Sequence, residues 1–419
     1  MKILELEIQG FRSLKKITWK PGDLNVVIGR NGSGKSNLLR ALELISASAQ
    51  GNLDNFTVKS GGIDDLVWDG SATNIRFSLR TSPMVGGRIG YDNFKYEVGL
   101  TKFNNKNDFR IEDELLSKPY LYEQREKAQP FKLLERSAAS GNAAIFNETG
   151  GRLTSPGETI SPKETLLAST TAPAPFVDKQ YAEEYRQAST FGKELGDWTI
   201  YHDIRTDRDA EMRKEAVSSY DRHVATDGQN LINVLHTLYD NVEDRTFRDQ
   251  INSAMRAAFG NDFEGLIFPP GQNQRVQLRL LWKTLRRAQP ATNLSDGTLR
   301  FLFLLTVLLN PSLPSLVAID EPETGLHPAM LAIIAETATN ASKRTQLVLT
   351  THSDQFLNFF SPVKTQPTVT VAKWSEGETK FQVLDADRLR YWLEDYSLGK
   401  LFVGGQLENM AQDELEDAE

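Results

Sequence analysis

Cysteine is absent from this chain of 419 residues. Its absence excludes disulfide bonds and every zinc or iron–sulfur site that depends on cysteine ligands. A chain without disulfides is also typical of the reducing cytosol, where thiols are kept reduced. We therefore expect a cytoplasmic protein.

Long hydrophobic runs are absent as well. A membrane-spanning helix needs about 20 consecutive apolar residues, and the longest apolar run, Phe301–Leu309, is about half that length and is interrupted by Thr306. The first residues, Met1–Glu5, carry charges where a secretory signal peptide needs an apolar segment. The sequence thus predicts neither a signal peptide nor a membrane partner.

Positive charge is in deficit, because 48 lysine and arginine residues stand against 56 acidic ones and give a net charge of −8. A hydrophobic content of 39% still predicts a folded core. An acidic protein can bind nucleic acid only through a local basic patch. Two basic clusters are candidates, although such sets are more often solvated faces: Arg205, Arg208, Arg213 and Lys214, and then Arg275, Arg279, Lys283, Arg286 and Arg287.

The most informative segment present is Gly29-Arg30-Asn31-Gly32-Ser33-Gly34-Lys35-Ser36, a complete G-x-x-x-x-G-K-[ST] loop. It follows the apolar run Leu24–Ile28 and opens onto a segment with helical periodicity, which is the strand–loop–helix setting of a phosphate-binding loop. Backbone N–H groups and the helix N-terminus would cradle phosphate oxygens. Lys35 can reach the β- and γ-phosphates and Ser36 can bind Mg²⁺. The predicted nucleotide contacts are Asn31, Gly32, Ser33, Gly34, Lys35, Ser36 and Asn37.

Further along the chain, the apolar strand Leu316–Ile319 ends in Asp320 and Glu321, as in a Walker B motif. Asp320 would hold Mg²⁺ and Glu321 would polarise the attacking water as a catalytic residue. Alone this pattern is equally compatible with an ordinary strand end. A second apolar strand, at 346–350, leads to His352, which we interpret as a γ-phosphate contact; a structural histidine is the alternative.

Between these segments lies Leu294-Ser295-Asp296-Gly297, followed by an apolar helix. A Ser–x–Gly turn at a helix N-terminus can bind an anion by the same physics as the phosphate-binding loop. Read alone, it favours an ordinary helix cap by Ser295 or Asp296. The order of the motifs along the chain supports the anion site.

That order resembles the ABC-type ATPases, with a signature Leu-Ser-x-Gly between the phosphate-binding loop and the Walker B motif. More narrowly, the chain is similar to the RecF/SMC-like branch and to the predicted ATPases related to the N-terminal domain of OLD-family proteins. The segments that carry this narrower resemblance are Ile8–Leu14, Gly61–Trp68, Trp198–Asp203, Asp227–Leu231, Leu294–Arg300 and Asp320–Pro328.

The resemblance implies an α/β fold, an ABC-type P-loop ATPase head with a mixed central sheet, an antiparallel β subdomain and a helical or irregular insertion. It implies ATP and Mg²⁺ as cofactors and a homodimer in which two heads pair head to tail around two ATP molecules. One chain would supply the phosphate-binding loop with its Lys35, Asp320, Glu321 and His352. The other would supply Ser295 and Gly297. The resemblance also implies a phosphate contact for Arg12, with a surface or salt-bridged arginine as the alternative.

Two features depart from the family pattern. Asp296 stands where transporter-type ABC proteins commonly have glycine, and its carboxylate would repel a γ-phosphate unless it points away and caps the helix. No glutamine lies between Gln50 and Gln124, so the Q-loop residue of such ATPases has no obvious counterpart. For His327 we expect a structural role.

The resemblance and the composition together suggest four segments. Residues 1–100 would form a first ATPase lobe and residues 101–260 an insertion, with β segments, a flexible stretch at 137–175 and helices at 178–260. Residues 261–395 would form a second lobe with the signature, Walker B and histidine motifs. Residues 396–419 would be an acidic tail whose end, from 408, we expect to be disordered.

The leading hypothesis is a nucleotide-driven dimeric switch that controls a partner effector or acts on nucleic acid, in phage defence or DNA maintenance. A nuclease or toxin is expected on a separate chain, because the residues after 375 are too few for a Toprim domain. Oligomers beyond the dimer stay open. The alternatives are the nucleotide-binding subunit of a membrane transporter and an ATP-dependent assembly scaffold with little turnover.

Overall fold

The computed structural model describes residues 1–83, 93–103, 107–118, 130–137, 142–146, 152–154, 161–171, 182–241, 243–360 and 366–416, and all statements about the fold concern these residues. Their strands are β1 (Ile3–Phe11), β2 (Leu14–Trp19), β3 (Leu24–Ile28), β4 (Asn74–Thr81), β5 (Lys95–Phe103), β6 (Asp108–Lys118), β7 (Phe131–Ser137), β8 (Asn142–Phe146), β9 (Arg152–Thr154), β10 (Thr199–Tyr201), β11 (Ala216–Val217), β12 (Phe263–Ile267), β13 (Arg275–Val276), β14 (Arg279–Trp282), β15 (Gln289–Pro290), β16 (Leu316–Asp320), β17 (Gln346–Thr351), β18 (Thr368–Ser375) and β19 (Glu378–Val383). Their α-helices are α1 (Lys35–Ala49), α2 (Leu53–Lys59), α3 (Leu166–Thr171), α4 (Ala182–Gly196), α5 (Leu231–Tyr239), α6 (Thr246–Phe259), α7 (Asp296–Leu308), α8 (Pro328–Ala341), α9 (Asp354–Leu357), α10 (Ala386–Leu393), α11 (Leu398–Val403) and α12 (Gln406–Glu416).

The first large sheet is antiparallel and has the strand order β2-β1-β4-β5-β6-β7-β8-β9. Buried side chains alternate with exposed or half-buried ones along β4, because one face of the sheet is covered and the other faces solvent. Alternation in the sequence predicted antiparallel strands at 74–80, 95–100 and 109–112, and this is confirmed. The predicted boundary at residue 100 falls inside β5, and β6 to β9 extend the same sheet.

The central sheet has the order β10-β16-β17-β3-β18-β19. All its neighbouring pairs are parallel except β18 and β19, so the sheet is mixed, as predicted. Every residue of β3 and of β17 is buried. Strands buried on both faces are mostly apolar, which explains the sequence of Leu24–Ile28 apart from Asn25, whose side chain is buried and hydrogen-bonded to the backbone of Gly22.

Side chains of the central sheet alternate between two hydrophobic cores. On β3, Val26 and Ile28 belong to a core shared with α7 and α8, whereas Val27 belongs to a core shared with α1 and the antiparallel sheet. The same alternation occurs on β16, where Ile319 faces the first core and Ala318 the second. Helices therefore cover both faces, and only the edges and strand ends of the sheet are left for a functional site.

The segment at 178–260 is more mixed than predicted. Helices are present as α4, α5 and α6, but β10 lies within this segment and joins the central sheet beside β16. A strand of three residues has no periodicity that a sequence analysis could detect. None of the described helices is both long and apolar enough to cross a membrane.

Two stretches that the sequence suggests to be flexible or disordered contain helices, and both expectations are corrected for the described residues. Within 137–175, α3 buries Leu166 and Leu167. Within 408–419, the described part up to residue 416 continues α12, which buries Leu407 and Met410. Leu166 and Leu167 are adjacent, and Leu407 and Met410 are three residues apart, so each short segment has an apolar face to pack despite its polar composition. Residues 138–141, 147–151, 155–160, 172–181 and 417–419 lie outside the described residues.

Candidate active site

Four neighbouring parallel strands end at the same edge of the central sheet. β3 leads into the loop Gly29–Gly34, β16 ends at Asp320, β17 ends at Thr351 and β10 ends at Tyr201. The register of the strands places these ends at a similar level. Ligands of open α/β sheets bind at the carboxyl ends of the strands. The motifs that are far apart in the sequence therefore come together at this edge.

The phosphate-binding loop turns directly into α1, which begins at Lys35. Gly34 has a φ angle of 94°, in the left-handed region. A Cβ atom at this position would lie 2.1 Å from Oγ1 of Thr379 and 2.9 Å from Oγ of Ser13. Only glycine satisfies both the backbone angle and this close approach. The loop is thus held tightly against β19 and the turn between β1 and β2.

The predicted phosphate-binding lysine is buried at the start of α1. Its Nζ atom donates to the carbonyl oxygens of Gly29 at 2.8 Å and of Arg30 at 3.1 Å. Burial lowers the pKa of Lys35, and the nearby carboxylates of Asp320 and Glu321 oppose this shift. The hydroxyl of Ser33 is buried without a hydrogen-bond partner in the described part of the chain. The ammonium group of Lys35 and the unpaired hydroxyl of Ser33 inside a glycine-rich loop are groups that a phosphate ligand would engage, so the residues fit such a ligand.

Asp320 and Ser36, the two predicted Mg²⁺ ligands, are neighbours in the structure. Burial alone would raise the pKa of Asp320, but contacts with His202, Thr350 and Ser36 outweigh it and lower the pKa. The Thr350 hydroxyl donates to Oδ1 of Asp320. An ionised carboxylate beside a serine hydroxyl supplies oxygen ligands, which Mg²⁺ prefers. These two side chains therefore fit Mg²⁺.

The predicted general base is paired with the predicted phosphate-contacting histidine. Nδ1 of His352 lies 2.9 Å from Oε1 of Glu321. Glu321 has a φ angle of 45°, which is rare for a residue with a Cβ atom. Its N–H donates to the Thr350 hydroxyl at 3.1 Å, and its carbonyl oxygen accepts from the Arg300 guanidinium at 3.0 Å. These two bonds hold a strained backbone, of a kind that clusters at functional sites.

A third carboxylate, that of Glu323, is hydrogen-bonded to the loop that carries His352. It is buried and accepts hydrogen bonds from the Thr351 hydroxyl at 2.5 Å and the His352 N–H at 3.4 Å. Burial raises its pKa above the ordinary value, although the hydrogen bond from Thr351 acts in the opposite direction. Its contacts suit it to orient the loop rather than to bind a ligand.

The signature turn caps α7 and packs on the loop after the Walker B motif. Oγ of Ser295 accepts from the N–H of Thr298 at 3.1 Å, so Ser295 is the N-cap residue. A Cβ atom on Gly297 would lie 2.7 Å from the carbonyl oxygen of Gly325, which explains why glycine stands there. Ser295 itself is exposed.

The acidic residue in the signature turn is neutralised by a buried arginine. Asp296 forms an ion pair with Arg213, whose side chain is only 6% exposed. Arg213 also donates to the carbonyl oxygens of Leu294 at 2.6 Å and Thr206 at 2.8 Å. The suggestion that Arg213 belongs to a basic patch for nucleic acid is therefore wrong, because its guanidinium is occupied inside the protein.

Arg12 and Asn37 lie beside the loop, on the side of the turn between β1 and β2. The backbone N–H of Arg12 donates to the Leu66 carbonyl oxygen at 2.8 Å, and Arg12 has a φ angle of 48°. Burial and the neighbouring Arg40 lower the pKa of its guanidinium. Nδ2 of Asn37 donates to the Ser13 hydroxyl at 2.7 Å.

His327 accepts from the Ala329 N–H as the N-cap of α8, consistent with a structural role.

One residue that the sequence analysis left without a role lies in the middle of the site. His202 follows β10 and is 8% exposed. Its Nε2 atom lies 3.3 Å from Oε2 of Glu43 on α1, and its Nδ1 atom lies 3.6 Å from Oδ2 of Asp320. The sequence feature that could have indicated His202 is a short apolar segment followed by the polar residues His202 and Asp203. This pattern is a shorter form of the apolar strand with polar end residues that marks the Walker B motif. Arg300, Thr350 and Glu323 were missed as well.

A cavity of about 1020 Å³ opens beside the loop. The residues Arg30–Ser33 and His352 line one side, and Trp374, Phe402 and Val403 line the other. Trp374 and Val403 are 53% and 72% exposed. The loop is thus accessible from the side on which His352 lies.

The sheet order and the four converging strand ends define an ABC-type P-loop ATPase head, and solved structures show the same fold. The head of an Smc protein bound to the C-terminal winged-helix domain of ScpA superimposes with a TM-score of 0.57 at 13% identity, over 93% of this chain and 100% of that chain. An Smc head with an extended coiled coil from Pyrococcus furiosus, bound to the C-terminal domain of ScpA, gives a TM-score of 0.51 at 14% identity, over 94% and 99% of the two chains.

Residues 24–358 match the family model described as "AAA domain, putative AbiEii toxin, Type IV TA system". The match covers most of the chain, and the chain belongs to this family. No similar sequence was found among curated proteins. The predicted kinship with ABC-type and SMC-like ATPases is confirmed, whereas the narrower resemblance to OLD-family proteins stays a prediction.

Proposed function

We propose that this protein binds and hydrolyses ATP with Mg²⁺ and works as a dimeric switch that controls a partner effector. One observation carries the proposal: Lys35, Ser36, Asp320, Glu321 and His352 come from separate motifs and converge at one sheet edge. A lone loop or a lone acidic strand end has simpler explanations. Their convergence at the carboxyl ends of parallel strands does not.

Each residue has a role in this proposal that follows from its position. Lys35 and the N–H groups of the loop would bind the phosphates, with Ser33 as an additional donor. Ser36 and Asp320 would hold Mg²⁺, which neutralises phosphate charge when bound. Asn37 and Arg12 are proposed contacts on the side of the loop where α1 begins.

In this proposal Glu321 accepts a proton from an attacking water molecule. A carboxylate with a hydrogen-bond partner at 2.9 Å has a fixed direction, and His352 supplies that partner. The strained backbone of Glu321 is of a kind that clusters at functional sites, which supports the same role. An assembly scaffold with little turnover would not need this arrangement.

The proposal includes a head-to-tail homodimer in which Ser295 and Gly297 complete the site of the other copy. Ser295 is exposed at the N-terminus of a helix of 13 residues, where N–H groups and the helix dipole favour an anion. The pairing of Asp296 with Arg213 removes the objection that a free carboxylate would repel phosphate. The exposed side of the loop, next to His352, leaves room for the second copy.

The partner effector rests on the comparisons. The family description names a toxin of a toxin–antitoxin system, and both superimposed Smc heads were solved with a bound ScpA domain. We infer that this ATPase also works on a second protein, a nuclease or toxin, in defence or DNA maintenance. Nucleic acid is the alternative target.

The decisive experiment is the mass in solution of the Glu321→Gln variant with and without Mg-ATP. Glutamine cannot accept the proton, so ATP should persist and the mass should rise from that of a monomer to that of a dimer. ATP turnover should fall by about 100-fold or more. Glu336→Gln, an exposed change on α8, is the matched control and should turn over like the wild type. Normal turnover by Glu321→Gln would contradict the general-base role, and an unchanged mass would contradict the switch.

A further inference from the structure

A chain of charged side chains runs through the interior of the site and links the metal-side carboxylate to α1. Asp320 faces Nδ1 of His202 at 3.6 Å, and Nε2 of His202 faces Glu43 at 3.3 Å. Glu43 in turn accepts from Arg40 at 2.9 Å. Arg40 also lies 3.8 Å from Asp203, the residue after the histidine. The histidine is the only imidazole among the described residues placed between two carboxylates of different secondary-structure elements.

This arrangement ties Asp320 to α1 at two points. One point is Ser36, whose hydroxyl lies close enough to the Asp320 carboxylate to lower its pKa. The other is Glu43, which is seven residues further along and therefore on the same face of the helix, and which is reached through His202. A carboxylate restrained on both sides keeps one rotamer and one distance from Ser36.

The imidazole suits this bridge better than it suits metal binding or packing. Mg²⁺ takes oxygen ligands, so His202 is not expected to coordinate it. Apolar packing would not require that both ring nitrogens face carboxylates. The side chain of His202 is only 8% exposed, and its removal would leave the partly buried carboxylates of Asp320 and Glu43 facing each other without the ring between them.

We propose that His202 is a positioning residue for the Mg²⁺ site: its Nδ1 atom pairs with the Asp320 carboxylate and holds it in register with Ser36, and the contact of its Nε2 atom with Glu43 has the smaller effect. The inference rests on the proposed function, because it assigns Asp320 to Mg²⁺. Groups that orient metal ligands typically change metal affinity by about 10–100-fold when they are removed. His202 acts through Asp320 and touches neither phosphate nor water in this role.

Two near-isosteric variants separate the contact with Asp320 from the contact with Glu43. The amide nitrogen of asparagine occupies about the place of Nδ1, and that of glutamine about the place of Nε2, because of their different side-chain lengths. His202→Asn keeps a donor for Asp320 and loses Glu43, and His202→Gln does the reverse. The measurement is the Mg²⁺ concentration that half-saturates the Mg²⁺-dependent binding of a fluorescent ATP analogue. Binding of the analogue in EDTA is the second readout.

We expect the half-saturating Mg²⁺ concentration to be at least about 10-fold higher for His202→Gln and His202→Ala than for the wild type. For His202→Asn it should stay within about threefold of the wild type. Binding in EDTA should be unchanged in all three, since the loop itself is intact. His223→Ala, an exposed histidine change, is the control and should match the wild type in both readouts.

The outcomes distinguish the inference from the proposed function. If the wild type fails to bind the analogue with Mg²⁺, the proposed function falls and the inference falls with it. If the wild type binds and His202→Gln performs as well as His202→Asn, only the inference is overturned, because the contact with Asp320 then has no effect. Should His202→Ala fail to fold, the comparison of asparagine with glutamine decides alone. Thermal unfolding of each apo variant identifies that case.

Discussion

At the scale of single residues, the buried Arg213 stabilises the signature turn through contacts that the sequence motif does not predict. Its guanidinium donates to the carbonyl oxygens of Thr206 and of Leu294, the first residue of the signature turn, and pairs with the exposed carboxylate of Asp296. The Asp296 side chain is 68% exposed, so the ion pair itself is screened by solvent. The carbonyl contacts of the buried arginine therefore matter more for stability than the ion pair.

We predict that Arg213→Met lowers the free energy of unfolding by about 2–4 kcal/mol, because buried carbonyl oxygens lose their donors. Asp296→Ala should cost less, about 1 kcal/mol or below. Urea unfolding of both variants, with the exposed Lys214→Met as the control, checks the difference. Equal stability of Arg213→Met and Lys214→Met would contradict this account.

At the scale of elements, the short helix α3 depends on a carboxylate from another part of the chain. Glu114 on β6 accepts from the backbone N–H groups of Leu166 at 2.6 Å and Leu167 at 2.9 Å, and from the Tyr96 hydroxyl at 3.0 Å. Burial nevertheless raises the pKa of Glu114 to about 7, against the effect of these three donors. The helix is thus held to the antiparallel sheet by a group that titrates near neutral pH.

The direction of the pH effect follows from that pKa. A carboxyl group that titrates near 7 when folded and at 4.5 when unfolded binds more protons in the folded state across this interval. Its contribution to stability therefore declines as the pH rises from about 4.5 to about 7 and is constant above, a change of about 3 kcal/mol. Glu114→Gln cannot titrate and should lose this dependence.

The check is the difference in unfolding free energy between the wild type and Glu114→Gln at several pH values from 5 to 8. The wild type should lose stability relative to the variant as the pH rises. Glu112→Gln, on the same strand and with a side chain that is 39% exposed, serves as the matched control. A difference that is the same at all pH values would show that Glu114 does not titrate in this interval.

At the scale of the whole molecule, the exposed N-terminus of α7 and the open side of the phosphate-binding loop are the surfaces that a head-to-tail pair would join. We predict that Ser295→Arg prevents ATP-dependent dimerisation and leaves ATP binding by the monomer intact, because the long cation fills the space of the partner's phosphate. Ser312→Arg lies just beyond the opposite end of α7 and is the control. Mass in solution and binding of an ATP analogue are the two measurements; loss of ATP binding by the Ser295→Arg monomer would exclude a contribution from the second copy.

Much of the fold could be predicted because its signals are local. An apolar strand, a glycine-rich loop and an amphipathic helix follow one another within residues 24–49, and each local pattern has one physical explanation. Alternation along β4 likewise predicted an antiparallel sheet. The carboxylates Asp320 and Glu321 could be found for the same reason, since they end a continuous apolar run.

The features that escaped prediction depend on contacts between distant residues. The role of His202 depends on its contact with Asp320, which is 118 residues later in the chain (320 − 202). A single histidine in a sequence does not indicate such a contact. Arg213 looked like part of a basic patch because burial of a charge is invisible without its partners. The acidic composition of the C-terminal segment led to a prediction of disorder, although Leu407 and Met410 provide the buried face of helix α12.

The central position of β3 also has a consequence for how the protein is made. Its two neighbours in the sheet are β17 and β18, which are synthesised more than three hundred residues later. The hairpins of the antiparallel sheet can close early on the ribosome, whereas β3 must wait, and such distant pairing is slow. A nascent chain that stops before residue 346 therefore carries the entire phosphate-binding loop without the strands that hold it in place. We therefore expect a chain truncated before residue 346 not to bind ATP, even though its phosphate-binding loop is intact.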